Sequence, residues 1–293
     1  MGSWWHAFDT PPQPEIITFD TPFAGRFGLL ICFDILFHEP TISLVERVEK
    51  IYIHSYKNIH SRAFSLGANV TLLAANIRND KLIMTGSGIY TPFSATYHHA
   101  QIGDPEEGRL LVARTCFDSS HPETASTVSP LSVTFVSSMM YDPYTFVLLN
   151  ETEGKLNVCY GTFCCHLQYR QLPQGTSKEL YALGAFAGTH TVNGRFALQV
   201  CALVRCAGSE ASSCGQEVEE AETKMDFLLE GKFGTRYVYP SVLASHMVLE
   251  QPEHLEKTAD GRMTMKHSNM TGGLVTACLY GRMYHLGPMN ELL

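Results

Sequence analysis

Apolar and polar positions change rhythm once along this chain. Up to about residue 125, apolar runs of strand length alternate with stretches of helical period. "EIITFD" (15–20) predicts a strand, "TPFAG" (21–25) a turn, and "FGLLICFD" (27–34) a strand buried on both faces. "EPTISLVERVEK" (39–50) predicts a short helix, with Pro40 in its first turn and Ile42, Val45 and Val48 along one face. "HSRAFSLGA" (60–68) predicts a second helix ending near Gly67, and "NVTLLAANI" (69–77) another buried strand. "MTGSGIYTP" (84–92) reads as a Gly-rich corner that returns as a strand. Strands alternating with helices predict α/β layering.

Asp118 to Pro130, "DSSHPETASTVSP", is polar and closed by proline, and reads as a linker. Beyond it the period is close to two. "LSVTFVSS", "YTFVLLN", "KLNVCYG", "FCCHLQYR", "RFALQVCALVR" and "GLVTACLYGRMY" predict half-buried strands of a β-rich, sandwich-like domain. "GAFAGTHTVNG" reads as a Gly-rich loop between strands, in which His190 is structural, and "GQEVEEAETK" as a solvated loop or edge. Two domains follow, 1–125 and 126–293.

Charge and composition narrow the partners. The net charge of −8 argues against nucleic acid or an anionic membrane surface. No run of about 20 apolar residues predicts a membrane span. The opening "MGSWWHAFDTPPQP" has no basic flank or apolar core and does not read as a signal peptide. "YHLGPMNELL" does not read as a lipid-anchor tail. Neither His54 and His60 nor His98 and His99 have a companion set at metal-ligand spacing, so no metal is expected. "MTGSGIYTP" lacks the Gly-Lys-Ser/Thr ending of a phosphate loop, and "TGSGI" is not a Ser-nucleophile elbow; no cofactor is expected.

Of nine cysteines, six crowd the β-rich region: Cys159, Cys164, Cys165, Cys201, Cys206 and Cys214. Together with sequons at Asn69, Asn150 and Asn269 they predict a disulfide-bonded, glycosylated chain of the secretory route. Six cysteines allow 15 pairings, and the sequence does not choose. Adjacent Cys164 and Cys165 point to opposite faces of a strand and so join different partners. Cys278 reads as a buried thiol, and Cys116 as unbridged.

Cys32 ends an apolar strand and precedes a helix-like pattern. Such a corner lifts a nucleophile off the sheet edge and places backbone N–H groups beside a developing oxyanion. The plain alternative is a core cysteine. A neutral thiol is mostly protonated, so catalysis needs a group that activates it.

"FDTPFAGRFGLLICFDILFHEP" resembles the nucleophile segment of the carbon–nitrogen hydrolases (nitrilase superfamily), in their biotinidase and vanin branch. The resemblance continues through "LLAANI", "MTGSGIYTP", "VCYGTFCCHLQY", "SKELYALGAFAGTHTVNGRFALQVCALVRC", "SCGQEVEEA" and "GGLVTACLYGRMY", from about Ala7 to Tyr284. "FDTPFAGRFG", "SKELYALG", "QVCALVRC" and "CGQE" sit closer to the biotinidase members than to the vanins. The resemblance implies the C-terminal part of an αββα nitrilase-type sandwich followed by the β-rich domain. It implies hydrolysis of a small-molecule amide, biotinyl-lysine or a biotinyl peptide, through a Cys thioester, or else of pantetheine. Cys32 takes the nucleophile position, the Phe33 N–H contributes to the oxyanion hole, and Ser87 lies near the substrate. The parent protein is then secreted.

The family also implies a Glu general base and an oxyanion-stabilising Lys upstream of the nucleophile. Only 31 residues precede Cys32; none is lysine, and the one glutamate, Glu15, matches no general-base motif. "EKIYIHSYKNIHSRAF" also stands where the family has a stretch like "PTAWM". These departures predict an N-terminally truncated member, inactive as written, or a non-catalytic remnant. The β-rich domain is expected to fold alone, and the first 125 residues to expose an apolar face.

Overall fold

A computed structural model of the chain describes residues 13–22, 24–48, 50–54, 58–76, 86–100, 110–113, 134–172, 178–192 and 194–286. The expected linker, Cys116 and the boundary at 125/126 lie outside these residues.

The first region is a six-stranded sheet in chain order: β1 (Thr18–Thr21), β2 (Gly25–Ile31), β3 (Lys50–His54), β4 (Thr71–Ala74), β5 (Gly86–Tyr90) and β6 (Ala95–His99). β2, β3 and β4 run parallel, and the outer pairs are antiparallel. The period of two gives this sheet unlike faces. Leu30, Ile51, Ile53, Leu72 and Tyr90 are buried beneath two helices, α1 (Thr41–Val45) and α2 (Asn58–Ala68). On the opposite face Leu29, Tyr52, Leu73 and Ile89 lie side by side in register, each half-buried. β2 is therefore not buried on both faces as expected; Ile31, at its end, is 62% exposed. The first helix is also shorter than predicted, because α1 stops at Val45, although Val48 still buries against β2 at Gly28.

The second region is a sandwich of two antiparallel sheets. The seven-stranded sheet runs β15 (Val248–Glu250), β14 (Val238–Ala244), β18 (Leu274–Arg282), β12 (Phe196–Arg205), β11 (Tyr181–His190), β8 (Asp142–Leu148), β7 (Thr134–Met139). The five-stranded sheet runs β16 (His254–Lys257), β17 (Arg262–His267), β13 (Lys224–Lys232), β10 (Phe163–Leu172), β9 (Glu153–Tyr160). Cys165, Leu167, Leu183, Leu203, Met225, Leu229, Met265, Ala277 and Leu279 fill the space between them.

Two corrections follow from how the seven-stranded sheet is covered. Its central strands are buried on both faces, as β14 is at every position, rather than half-buried. One face meets the five-stranded sheet; the other meets α2 and the segment after β2. Secondly, "GAFAGTHTVNG" is no loop up to His190, since Gly184 and Gly188 lie inside β11. A Cβ at Gly184 would sit 2.4 Å from the Phe146 ring, so the glycine admits an aromatic neighbour.

The two regions meet at α2 and β14. A Cβ at Gly67 would lie 2.4 Å from the Val238 carbonyl oxygen, and Phe64 stacks on Tyr239 at 5.4 Å. Tyr97 on β6 accepts the Leu249 N–H at 2.9 Å. Replacing Gly67 by alanine gains about 1 kcal/mol of helix propensity. It also forces a methyl against backbone that cannot rotate away, at a cost of about 1–3 kcal/mol. Gly67→Ala is expected to lower the urea midpoint; an unchanged or raised midpoint would show that α2 is not in backbone contact with the sandwich.

At the far edge of the sandwich, Glu250 accepts from His267 Nε2 (2.5 Å) and from the N–H and hydroxyl of Thr271 (2.8 and 2.6 Å). Burial pushes the Glu250 carboxyl up, and these hydrogen bonds outweigh it, leaving the group below its ordinary value. The folded state thus binds this proton less tightly than the unfolded chain does. Its stabilisation is full above a carboxylate's usual value of about 4.3 and fades as pH falls through the lowered value. Glu250→Gln is expected to be less stable than the parent chain at pH 6, with the gap closing below about pH 4. A gap that stays constant to pH 3 in urea unfolding would contradict this.

Candidate active site

β2 ends at Ile31, and Cys32–Leu36 form a 3-10 turn, so the strand expected over 27–34 stops before the cysteine. Cys32 has φ +49°, a left-handed conformation that costs a residue with a side chain about 1–2 kcal/mol. Asp34 organises the corner around it. Its carboxylate accepts the Ile31 N–H (2.9 Å), and its carbonyl accepts the Phe37 N–H (3.0 Å) and the Thr41 hydroxyl (2.5 Å). The corner thus turns Cys32 out of the sheet. The thiol is half-buried and takes part in no disulfide. Phe33 follows directly in the turn, its backbone next to the cysteine.

Register shows what shares this rim. Ile31 pairs with His54 and Ile53 with Ala74, and the Ala75 N–H donates to the Ile53 carbonyl at 3.1 Å. The carboxyl ends of β2, β3 and β4 are therefore level, which is where open parallel sheets bind ligands. Two strand spacings put the Asn76 backbone about 10 Å from that of Cys32. Ser87, at the start of β5, reaches the same rim. Its hydroxyl accepts the Asn76 N–H (2.9 Å), while Asn76 Nδ2 donates to the Gly86 carbonyl (2.9 Å). Asn76 Oδ1 is buried and has no hydrogen-bond partner among the described residues. The sequence pointed to Ser87 but not to Asn76, whose only sign was a polar residue closing the apolar "LLAAN".

The turn also leans on the sandwich. Arg282, 3% exposed on β18, donates to the carbonyls of Leu36 and of Ala197 (3.5 Å for the latter). Its guanidinium lies 4.1 Å from the Phe196 ring centre and 4.8 Å from that of Tyr284. Phe37 meets Phe196 edge-on at 6.4 Å, and His38 meets Tyr284 at 5.6 Å. Beyond Phe196, His190 bonds Asp142 (2.8 Å) and the Val192 carbonyl (2.6 Å). Arg282 was not found from sequence. The available signal was a cation at a position of β18 in step with Cys278 and Tyr280.

The six clustered cysteines form Cys159–Cys164, Cys165–Cys201 and Cys206–Cys214, so the adjacent pair does join different partners. Cys165–Cys201 ties β10 to β12 across the sandwich core. Cys278 lies within the other face of the seven-stranded sheet, where burial pushes its thiol up to about 12. Asn69, Asn150 and Asn269 are all exposed. His60 lies in α2, and His98 and His99 lie on β6, away from the cysteine corner by strand order.

Residues 133–286 match the family model of the vanin C-terminal domain. The chain is 63% identical to a biotinidase of Takifugu rubripes, over 96% of this chain and 62% of that protein. It is 40% identical to a biotinidase of Mus musculus, over 95% of this chain and 62% of the relative. With a pantetheinase of Homo sapiens it shares 39% identity, over 94% of this chain and 57% of the relative. The chain thus spans about three-fifths of the length of these curated relatives. A corner built around Cys32, a disulfide-tied β-sandwich, and identity running through both regions lead to one conclusion: the chain belongs to the biotinidase/vanin family.

Proposed function

We propose that this chain carries the nucleophile-bearing part of an amidase that releases biotin from biotinyl amides such as biotinyl-lysine and biotinyl peptides. The observation that carries the reading is the left-handed Cys32 at the carboxyl end of β2, in a chain whose relatives include biotinidases. The Cys32 sulfur, as thiolate, adds to the amide carbonyl. The amine leaves with a proton, and a thioester remains. Water then cleaves the thioester, returning the thiol and releasing the acid. The Phe33 N–H supports the oxyanion, and Ser87 and Asn76 line the rim where the acyl group lies. On this reading the six-stranded sheet belongs to an αββα sandwich, with Leu29, Tyr52, Leu73 and Ile89 facing its second sheet.

The reading also says what residues 1–293 do alone. The first lysine is Lys50 and the only glutamate before Cys32 is Glu15, on the segment entering β1. A Cys-dependent amidase needs a group that activates the thiol, and residues 1–31 contain no lysine and no glutamate besides Glu15. Loss of members of a catalytic unit costs several orders of magnitude in rate. Pantetheine hydrolysis is the second reading, supported by the pantetheinase relatives, and a non-catalytic remnant the third. Exposed Asn69, Asn150 and Asn269 and the three disulfides support a secreted, glycosylated protein.

An activated ester separates these readings, because its leaving group needs no proton from the protein. The nitrophenyl ester of biotin is expected to acylate the chain once, at Cys32, faster than the pantothenic acid ester does. Cys32→Ala is expected to abolish the adduct. Biotinyl-lysine turnover by the same polypeptide is expected at least about a thousandfold below that of a full-length biotinidase. Acylation that survives Cys32→Ala, or amide turnover near that of the relative, would overturn the reading. Faster acylation by the pantothenate ester would favour the second.

A further inference from the structure

Arg282 is a buried cation in an unusual setting. Among the described residues no carboxylate lies within ion-pair distance of it. Among the described residues its partners are two backbone carbonyls, the rings of Phe196 and Tyr284, and the Tyr284 side-chain hydroxyl, and its Nε has none. A buried charge without a counter-charge is costly, so packing alone does not account for an arginine here. Its own backbone is pinned as well, with its N–H on the Tyr237 carbonyl (2.9 Å) and its carbonyl accepting from Thr235 (2.7 Å). The guanidinium therefore projects from a fixed base. One of its two carbonyl contacts is Leu36, the last residue of the Cys32–Leu36 turn.

That contact lies where the turn must be held. At its start the turn is closed by Asp34, as described above. At its end, Leu36 packs into the core of the six-stranded sheet and into the outer face of the sandwich. Phe37 and His38 continue onto Phe196 and Tyr284, the two rings that flank the guanidinium. A left-handed Cys32 would relax if the turn were released, since nothing intrinsic to cysteine favours it.

We propose that Arg282 is a positioning residue for Cys32. From the C-terminal sandwich it grips the Leu36 carbonyl and locks the turn that presents the thiol. The sandwich is then part of the active-site apparatus, although it supplies no atom to the reaction. This deepens the nucleophile reading and rests on it, but its tests need no substrate, so the two can fail separately.

The test uses the full 293-residue chain. In Arg282→Ala, amide exchange across 31–42 is expected to rise about tenfold or more, with β10 and β13 within about twofold of the parent chain. Methylguanidinium, which fits the space left by the side chain, is expected to restore protection. Iodoacetamide labelling, resolved by peptide, is expected to change at Cys32 by about threefold or more while Cys278 stays protected. Should Arg282→Ala fail to fold, Arg282→Lys keeps the charge but loses the two-pronged donor, and the same local rise is expected. Unchanged exchange in 31–42, or unchanged Cys32 labelling, would overturn the proposal. So would a rise that extends to β10 and β13 or that methylguanidinium does not reverse.

Discussion

The contact between α2 and β14 is the constraint on which the rest of the structure depends. A helix 11 residues long and a strand buried at all of its positions approach until backbone nears backbone at Gly67. That contact places the six-stranded sheet, its two helices, the seven-stranded sheet and the five-stranded sheet in successive layers. It turns the outward face of the seven-stranded sheet into an interior, which is why β11, β12 and β14 carry nearly unbroken apolar runs. An isolated antiparallel sandwich would show alternation instead. The layer order also decides what β18 can reach. Ala277 and Leu279 face the sandwich core, and Cys278, Tyr280 and Arg282 face the other region.

Much of this was legible in the sequence, and the exceptions share a cause. The strand–turn–strand of "EIITFDTPFAGRFGLL", the second helix, and the strands bearing Cys159, Cys164, Cys165 and Cys201 follow from local pattern. So does the cysteine corner, because an apolar run that breaks into Asp, His, Glu and Pro must leave the sheet there. Local pattern could not show that Gly184 and Gly188 belong to a strand. Their reason is the aromatic rings of Phe146 and Phe186, one of them distant in sequence. Nor could it show the disulfide pairing, which depends on β10 and β12 facing each other across a core. Arg282 was illegible for the same reason: it lies 246 residues from the carbonyl it holds.

The candidate site divides in the same way. Cys32, Phe33 and Ser87 could be placed from motifs and fall on one rim. Asn76 and Asp34 are defined by hydrogen bonds that only the folded chain reveals. Asp34 deserves equal weight with the cysteine in describing the corner, because it accepts from residues on both sides of the turn. The thiol's conformation is thus held from within by Asp34 and from outside by Arg282. The layered packing explains how the corner is maintained.

The most direct test of this account is the order in which the two regions lose structure. Pulsed hydrogen exchange along a urea titration follows β2, β3, β4 and α2 separately from β10, β12 and β13. If the sandwich is the platform on which the cysteine corner is built, protection of the first set disappears at or below the urea concentration that unfolds the second. A state in which α2 and its sheet stay protected after the sandwich has unfolded would contradict the account.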